Sequence, residues 1–309
     1  MKKICIVLIC LMFVFPTIAL TTASKNTTIF VDDDGNADYK TIQEAIEAAT
    51  EGDTIFVYSG MYHENIEVDK SLIINGEDKA STIIDGESNE DLIKIFADGV
   101  TISGFTIQQS MYKSNGINIY SNYNIIENNI IQNNQYDAIL LDGLYESGSF
   151  LVPPPSNNII RGNIIRNNRG KGISMWGGDI FLPRFRNIGL TLNTINNTIT
   201  KNVIENNHHG VYLAAATSKT SIILNEFNGN NISVAPMYSR FNTITKNNFF
   251  GSDPFFQSGI NEWDNNYWGE PLDDPKQIVG RIGYFGIIPW VNYDENPAQE
   301  PFDIGGDEK

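Results

Sequence analysis

From residue 100 onward the apolar and polar positions recur in one unit, Asn-x-Ile-x-x-Asn-x-Ile-x-x-Asn. It reads Asn124/Ile126/Asn129/Ile131/Asn134, then Asn158/Ile160/Asn163/Ile165/Asn168, then Asn197/Ile199/Asn202/Ile204/Asn207. Weaker copies begin at Val100, Thr220 and Asn242, which makes six. Each copy is followed by a short segment of the form small-Ile-x-Leu, as at 116–119, 138–141, 172–175 and 210–213, and Leu92 to Ile95 supplies one ahead of the first copy. Period-two apolar positions between polar corners specify strands, here two per repeat, and strands this short cannot bury themselves alone. Stacking buries them. The expected fold is all-β: a single-stranded right-handed parallel β-helix, a solenoid of about seven to nine coils. In register, Ile126, Ile160, Ile199, Ile222 and Ile244 form an inward column, and Asn129, Asn163, Asn202, Asn225 and Asn247 form a corner column whose amides bond the backbone of their own and neighbouring coils.

The ends depart from the repeat. Thr41-Ile42-Gln43-Glu44 is a capping box that opens a short amphipathic helix, with Ile42, Ala45, Ile46 and Ala49 on the face that covers the open end of the core. At the other end Trp263, Tyr267, Trp268 and Trp290, set among prolines, predict an irregular closing cap. Lys2 and Lys3, the apolar run Ile4 to Phe15 and Thr21-Thr22-Ala23 have the layout of a secretory signal. The expected organisation is a signal peptide over 1–23, the β-helix with its N-terminal cap over 24–260, and a C-terminal cap and tail over 261–309.

Both cysteines, Cys5 and Cys10, fall in the signal, so the mature chain has no disulfide, thiolate metal site or cysteine nucleophile. The formal charge of -16 becomes -18 on loss of Lys2 and Lys3. Such an acidic surface argues against nucleic acid and against polybasic membrane contact, and no second apolar run supplies a membrane span. The reading is a secreted, cell-surface or periplasmic protein whose partner is an extracellular glycan or a cell-envelope component.

The segments Asp38-Tyr39-Lys40-Thr41-Ile42-Gln43-Glu44-Ala45-Ile46, Gly60-Met61-Tyr62-His63-Glu64-Asn65-Ile66 and Ile83-Ile84-Asp85-Gly86 resemble the opening of pectin methylesterases and other pectin-lyase-like β-helix proteins. The coils that follow are similar to NosD-type β-helix proteins, a group that includes a periplasmic copper-binding accessory protein and archaeal surface proteins. The resemblance implies the fold directly, because these motifs build coils. It does not carry esterase activity: Gly177-Gly178-Asp179-Ile180-Phe181 lacks the closing glycine of the esterase motif and has no later Leu-Gly-Arg-Pro-Trp partner. If the chain is an enzyme, the resemblance favours a polysaccharide lyase or glycoside hydrolase.

Spacing locates the candidate site. From each small-Ile-x-Leu strand to the next repeat the gaps are 8 to 11 residues, except for two of 20 and 25 in consecutive coils. These insertions, 142–156 and 176–195, leave from one corner and stand over one face, where binding loops belong. They carry Tyr145, Phe150, Trp176, Phe181 and Phe185 with Arg184 and Arg186, residue types that stack on sugar rings and pair with carboxylates or hydroxyls. At their foot the column Asp91, Asn115, Asp137, Lys171, His209, Asn230 puts a carboxylate, an ammonium and an imidazole on successive coils, with Ser174 and Tyr212 facing outward beside them. Asp137, Lys171 and His209 are therefore the candidate catalytic residues, and Tyr145, Trp176, Arg184, Arg186 and Tyr212 the candidate substrate-binding ones. Under a lyase reading Lys171 or His209 abstracts a proton beside a uronate carboxylate that calcium on Asp137 neutralises. Copper handling, implied by the NosD resemblance, rests on His63, His208, His209 and Met61, and a non-catalytic structural role at the cell surface is the third reading. Arg166 and Glu205, at matching positions of successive coils, are expected to pair.

Overall fold

The computed structural model describes residues 26–86, 90–143, 154–177, 194–214, 216–257, 259–283 and 286–304. Among these the chain winds through three long parallel sheets. Sheet A has ten strands, from Thr28–Val31 to Glu262–Asp264; sheet B has eight, from Gly60–Tyr62 to Asn248–Phe250; sheet C has seven, from Ile66–Val68 to Ile232–Pro236. Each complete coil contributes one strand to each sheet, so seven coils are complete. This corrects the expectation of two strands per repeat. The Asn-x-Ile-x-x-Asn-x-Ile unit is itself two strands, as in Ile125–Glu127 and Ile130–Gln132, with a corner at the asparagine between them. The inward column is as expected: Ile102, Ile126, Ile160, Ile199, Ile222 and Ile244 pair in register and are essentially inaccessible.

Three asparagine ladders run along the axis instead of one. In the central ladder the Nδ2 of Asn129, Asn163, Asn202, Asn225 and Asn247 each donates to Oδ1 of the next asparagine at 2.9–3.2 Å, ending on Asn266. Each Oδ1 also accepts the backbone N–H of the preceding coil, as Asn163 does from Asn129 at 3.0 Å. The second N–H of the amide reaches a carbonyl, as from Asn163 to Ile126 at 2.8 Å. The ladder amides thereby pair with each other and with the backbone groups that the corner leaves free. The residue just before each ladder position sits in the left-handed region, as at Asn128, Asn133, Asn167, Lys201, Leu224 and Lys246 with φ of 52° to 57°. Asparagine tolerates that conformation best among residues with a Cβ, which explains the Asn-Asn pairs in the repeat.

The helix Ile42–Ala48 closes the N-terminal end with Ile42, Ala45 and Ile46 buried, and Thr41 Oγ1 accepts from Glu44 N at 3.3 Å. Two residues distant in sequence complete its caps. Glu64 takes the N–H groups of Ile42 and Gln43 at 2.8 and 2.9 Å, and the Lys70 ammonium donates to the carbonyls of Ile46 and Glu47. At the far end Phe227, Phe249 and Trp268 stack at centroid spacings of 5.1 and 4.4 Å, and Trp263 is buried beneath Ile244 in register. Trp290 does not join this plug. It lies on the hairpin Lys276–Ile282/Ile288–Asp294 and is 52% exposed. Coil pairing continues past residue 260, since Glu262–Asp264 adds to sheet A.

Candidate functional site

Sheet C is the sheet from which both long insertions depart, after strands Ile139–Asp142 and Lys171–Trp176. Because strand side chains alternate, its outward face carries two columns. One runs Lys94, Asn118, Leu140, Ser174, Tyr212. The other, two residues on, includes Phe96, Tyr120, Asp142 and Trp176, with Asp142 and Trp176 in direct register and the Phe96 and Tyr120 rings stacked at 5.1 Å and 6°.

At the foot of this face the structure brings Asp137, Lys171 and His209 together. Lys171 pairs with His209 in register, and its Nζ lies 3.3 and 3.4 Å from the two Asp137 oxygens. Asp137 is 1% exposed, its Oδ1 accepts from Lys171 N at 2.8 Å, and its Oδ2 accepts from Ser174 Oγ at 2.8 Å. These bonds extend a fourth rail: Asn115 N donates to Asp91 Oδ1 at 2.6 Å and Asp137 N to Asn115 Oδ1 at 3.2 Å. Here each side chain serves the following coil, the reverse of the asparagine ladders. The rail stops at Lys171, which has no acceptor to offer, so its ammonium turns back onto Asp137. The last member of the column is corrected: Ile232 is the register partner of His209, and Asn230 belongs to a ladder with Asn207.

The exposed part of the cluster is aromatic. The Lys171 ammonium lies 5.4 Å from the Tyr136 ring and 5.2 Å from the Tyr212 ring, a cation between two π faces. Trp176, 38% exposed, has its ring 6.0 Å from Tyr212. Tyr136, 44% exposed, was not among the expected residues; its place on the corner immediately before Asp137 is the signal that marks it. Burial, then the neighbouring His208 and Lys171, push His209 down to about 4, so its ring is neutral at pH 7. Burial and the Asp137 charge push the Tyr212 hydroxyl up. Tyr145, Arg184 and Arg186, like Phe150, Phe181 and Phe185, lie outside the described residues.

The metal expectations do not fit these residues. A calcium ion on Asp137 would occupy the place held by Lys171 Nζ and Ser174 Oγ. His63 and the His208/His209 pair are separated by five strand steps of sheet B, about 24 Å at ~4.8 Å per strand, so one copper ion cannot join them. The Nδ1 atoms of His208 and His209 approach to 2.7 Å, a hydrogen-bonding distance. No group of three His, Cys, Asp or Glu side chains among the described residues is arranged to hold a metal. Arg166 stands opposite Glu205 in register as expected, but its Nε donates to Gln132 Oε1 at 3.0 Å, while Arg161 pairs with Glu127 on sheet A.

No helix among the described residues is long and apolar enough to cross a membrane. Among solved structures the chain is similar to XylC in complex with xylose, at 12% identity over 87% of this chain and 73% of that one with a TM-score of 0.57. It is also similar to pectate lyase Pel9A, at 11% identity over 84% and 75% with a TM-score of 0.51. At such identities the likeness is one of fold. The pectinesterase family matches residues 28–121. The Arabidopsis thaliana protein named probable pectinesterase/pectinesterase inhibitor 17 is 30% identical over 108 residues, which span 31% of this chain and 21% of that protein. The coils from Leu92 to Asn266, which carry every described member of the site, match the family described as the right-handed beta helix region, and the chain belongs to that family.

Proposed function

We propose that the chain is an exported protein that binds a polysaccharide on the outward face of sheet C, with one sugar ring against Trp176 and Tyr212 and its polar edge toward Lys171. The observation that carries this reading is the pairing of an exposed indole with a tyrosine ring beside an ammonium fixed by Asp137. An aromatic face matches the C–H face of a sugar, and a held cation matches a carboxylate or hydroxyl on its rim. Preorganisation by Asp137 lowers the entropy cost of binding. The leader-like residues 1–23 support export, and the pectin-lyase-like fold is shared with polysaccharide-processing enzymes.

Binding is the part of the activity that the geometry favours. Asp137 has both oxygens engaged and is shielded from solvent, which suits a tether for Lys171 better than a catalytic acid or base. The test is a titration of the purified chain with neutral and uronate oligosaccharides, read by calorimetry and tryptophan fluorescence. Trp176→Ala is expected to weaken binding about fivefold to tenfold, the value of one aromatic contact, with an unchanged melting temperature. Absence of binding across the panel, or equal affinity in the variant, removes the proposal.

A further inference from the structure

Two to three strand steps toward the N-terminal end of sheet C, about 10–14 Å from Lys171, the same face has a second built feature of different character. The stacked Phe96 and Tyr120 rings continue the Trp176 column. Beside them Asn118 is 3% exposed, donates from Nδ2 to Asp91 Oδ2 at 2.8 Å and to the Tyr120 hydroxyl at 2.7 Å, and has a buried Oδ1 with no hydrogen-bond partner. Flipping that amide would set its oxygen against the Asp91 carboxylate, so the orientation is enforced and the acceptor is left over. An unpaired buried acceptor is costly, and here it lies directly beneath the Tyr120 hydroxyl side of the face.

The charge here is opposite to that at Lys171. Lys94 is the ammonium here and bonds Glu67 and Glu90 at 3.2 and 3.1 Å, while the Asp91 carboxylate is held by Asn115 and Asn118. At the other end Lys171 balances Asp137, and Arg169 adds an exposed guanidinium that reaches only Gln135 Oε1 at 3.5 Å and has no carboxylate partner among the described residues. One face thus presents a cationic end and an acidic end, joined by a column in which the Asp142 carboxylate stands between the Tyr120 and Trp176 rings. A polymer of identical uronates would place carboxylates against Glu67, Glu90 and Asp91. A wholly neutral one would leave Lys171 and Arg169 without an anion.

We infer that this face recognises a heteropolysaccharide lying along the coil axis, in which an acidic sugar at Lys171 is followed by neutral, hydroxyl-donating sugars over Tyr120 and Phe96. This rests on the proposed glycan binding and names the class of glycan. The coil repeat of ~4.8 Å is close to the length of one hexose unit, so successive rings meet successive strands. The aromatic rings take the apolar faces, and hydroxyl groups donate to the exposed carboxylates of Glu67 and Glu90.

The test uses three linear probes of four rings: a neutral oligosaccharide, a uniform oligouronate, and a neutral oligosaccharide bearing one uronic acid. The mixed probe is expected to bind about tenfold more tightly than either of the others. Lys171→Gln should remove its lead over the neutral probe. The double variant Glu67→Gln/Glu90→Gln, which changes two exposed charges and is checked for an unchanged melting temperature, should cut its lead over the oligouronate about fivefold. Equal or tighter binding of the uniform oligouronate, or a lead unmoved by the double variant, overturns the inference while leaving glycan binding in place. If none of the three probes binds, both the inference and the proposed function fall.

Discussion

Asp294 is a fully buried carboxylate that terminates the central asparagine ladder, and its replacement tests how the solenoid is held at its C-terminal end. Its Oδ2 accepts from Asn266 N at 2.9 Å, Asn266 Nδ2 at 3.0 Å and Trp268 Nε1 at 3.1 Å, and its Oδ1 accepts from Asn265 N at 2.9 Å and Asn296 N at 3.3 Å. Only a group with no proton to donate satisfies all five. In Asp294→Asn the amide oxygen can keep the three bonds at one position, but the amino group then faces two N–H donors. Two donors left without acceptors cost about 1–3 kcal/mol each, less where water enters, so the loss is about 2–4 kcal/mol. Because each coil touches only its neighbours, the effect should appear first as fraying of the last coil. Amide exchange over residues 262–304 should accelerate roughly 30- to 1,000-fold, with little change in strands before residue 200. Asp294→Ala, which strips all five acceptor contacts, should be worse than Asp294→Asn. Exchange in the Asn variant within a factor of three of the parent would refute the reasoning.

Two smaller predictions follow from the corners and the site. Lys246 is exposed at φ 56° on a left-handed corner, so Lys246→Gly or Lys246→Asn should raise stability by about 0.5–1 kcal/mol in urea denaturation, and a loss of stability would contradict the account of the corners. His209, held at about 4 against an ordinary value of 6.5, takes a proton in the unfolded chain before it does so in the folded one. Its contribution is therefore complete above pH 6.5 and is lost as the pH falls toward 4, worth about 1 kcal/mol after allowance for its contact with solvent. Melting curves of the parent and His209→Gln should converge over that interval, and an NMR titration that gives a midpoint near 6.5 would count against the burial argument.

The coils were legible in the sequence because the period of the ladder residues is strict and every inward isoleucine is flanked by polar positions. The strand count per coil was not, since a corner built from one left-handed residue and one asparagine is too short to show as a break in periodicity. The same shortness hid two of the three ladders. Asp137, Lys171 and His209 could be aligned by counting, because each immediately precedes the small residue that opens the small-Ile-x-Leu segment, Ala138, Gly172 or Gly210. What counting could not show is direction: the Asp137 carboxylate reaches forward to Lys171 N and Ser174 Oγ, which turns a suspected base into a tether. Glu64 as a helix cap and Asp294 as a ladder terminus were invisible for a related reason, since Glu64 meets Ile42 and Gln43, and Asp294 meets Asn265, Asn266 and Trp268, only after 20 or more intervening positions have been folded into place.

The asparagine ladders also act as a filter on where this chain can change length. Ladder positions stand five residues apart twice per coil, as at Asn124, Asn129 and Asn134 or Asn158, Asn163 and Asn168, and an added residue within either interval would pull an amide out of line with both neighbours. Between the third ladder position and the next first one no such gauge applies along the whole arc, and both long insertions occur there. A scaffold so tolerant on one flank and so intolerant on the other confines new loops to the edge of sheet C, so successive variants of the protein would elaborate the same face.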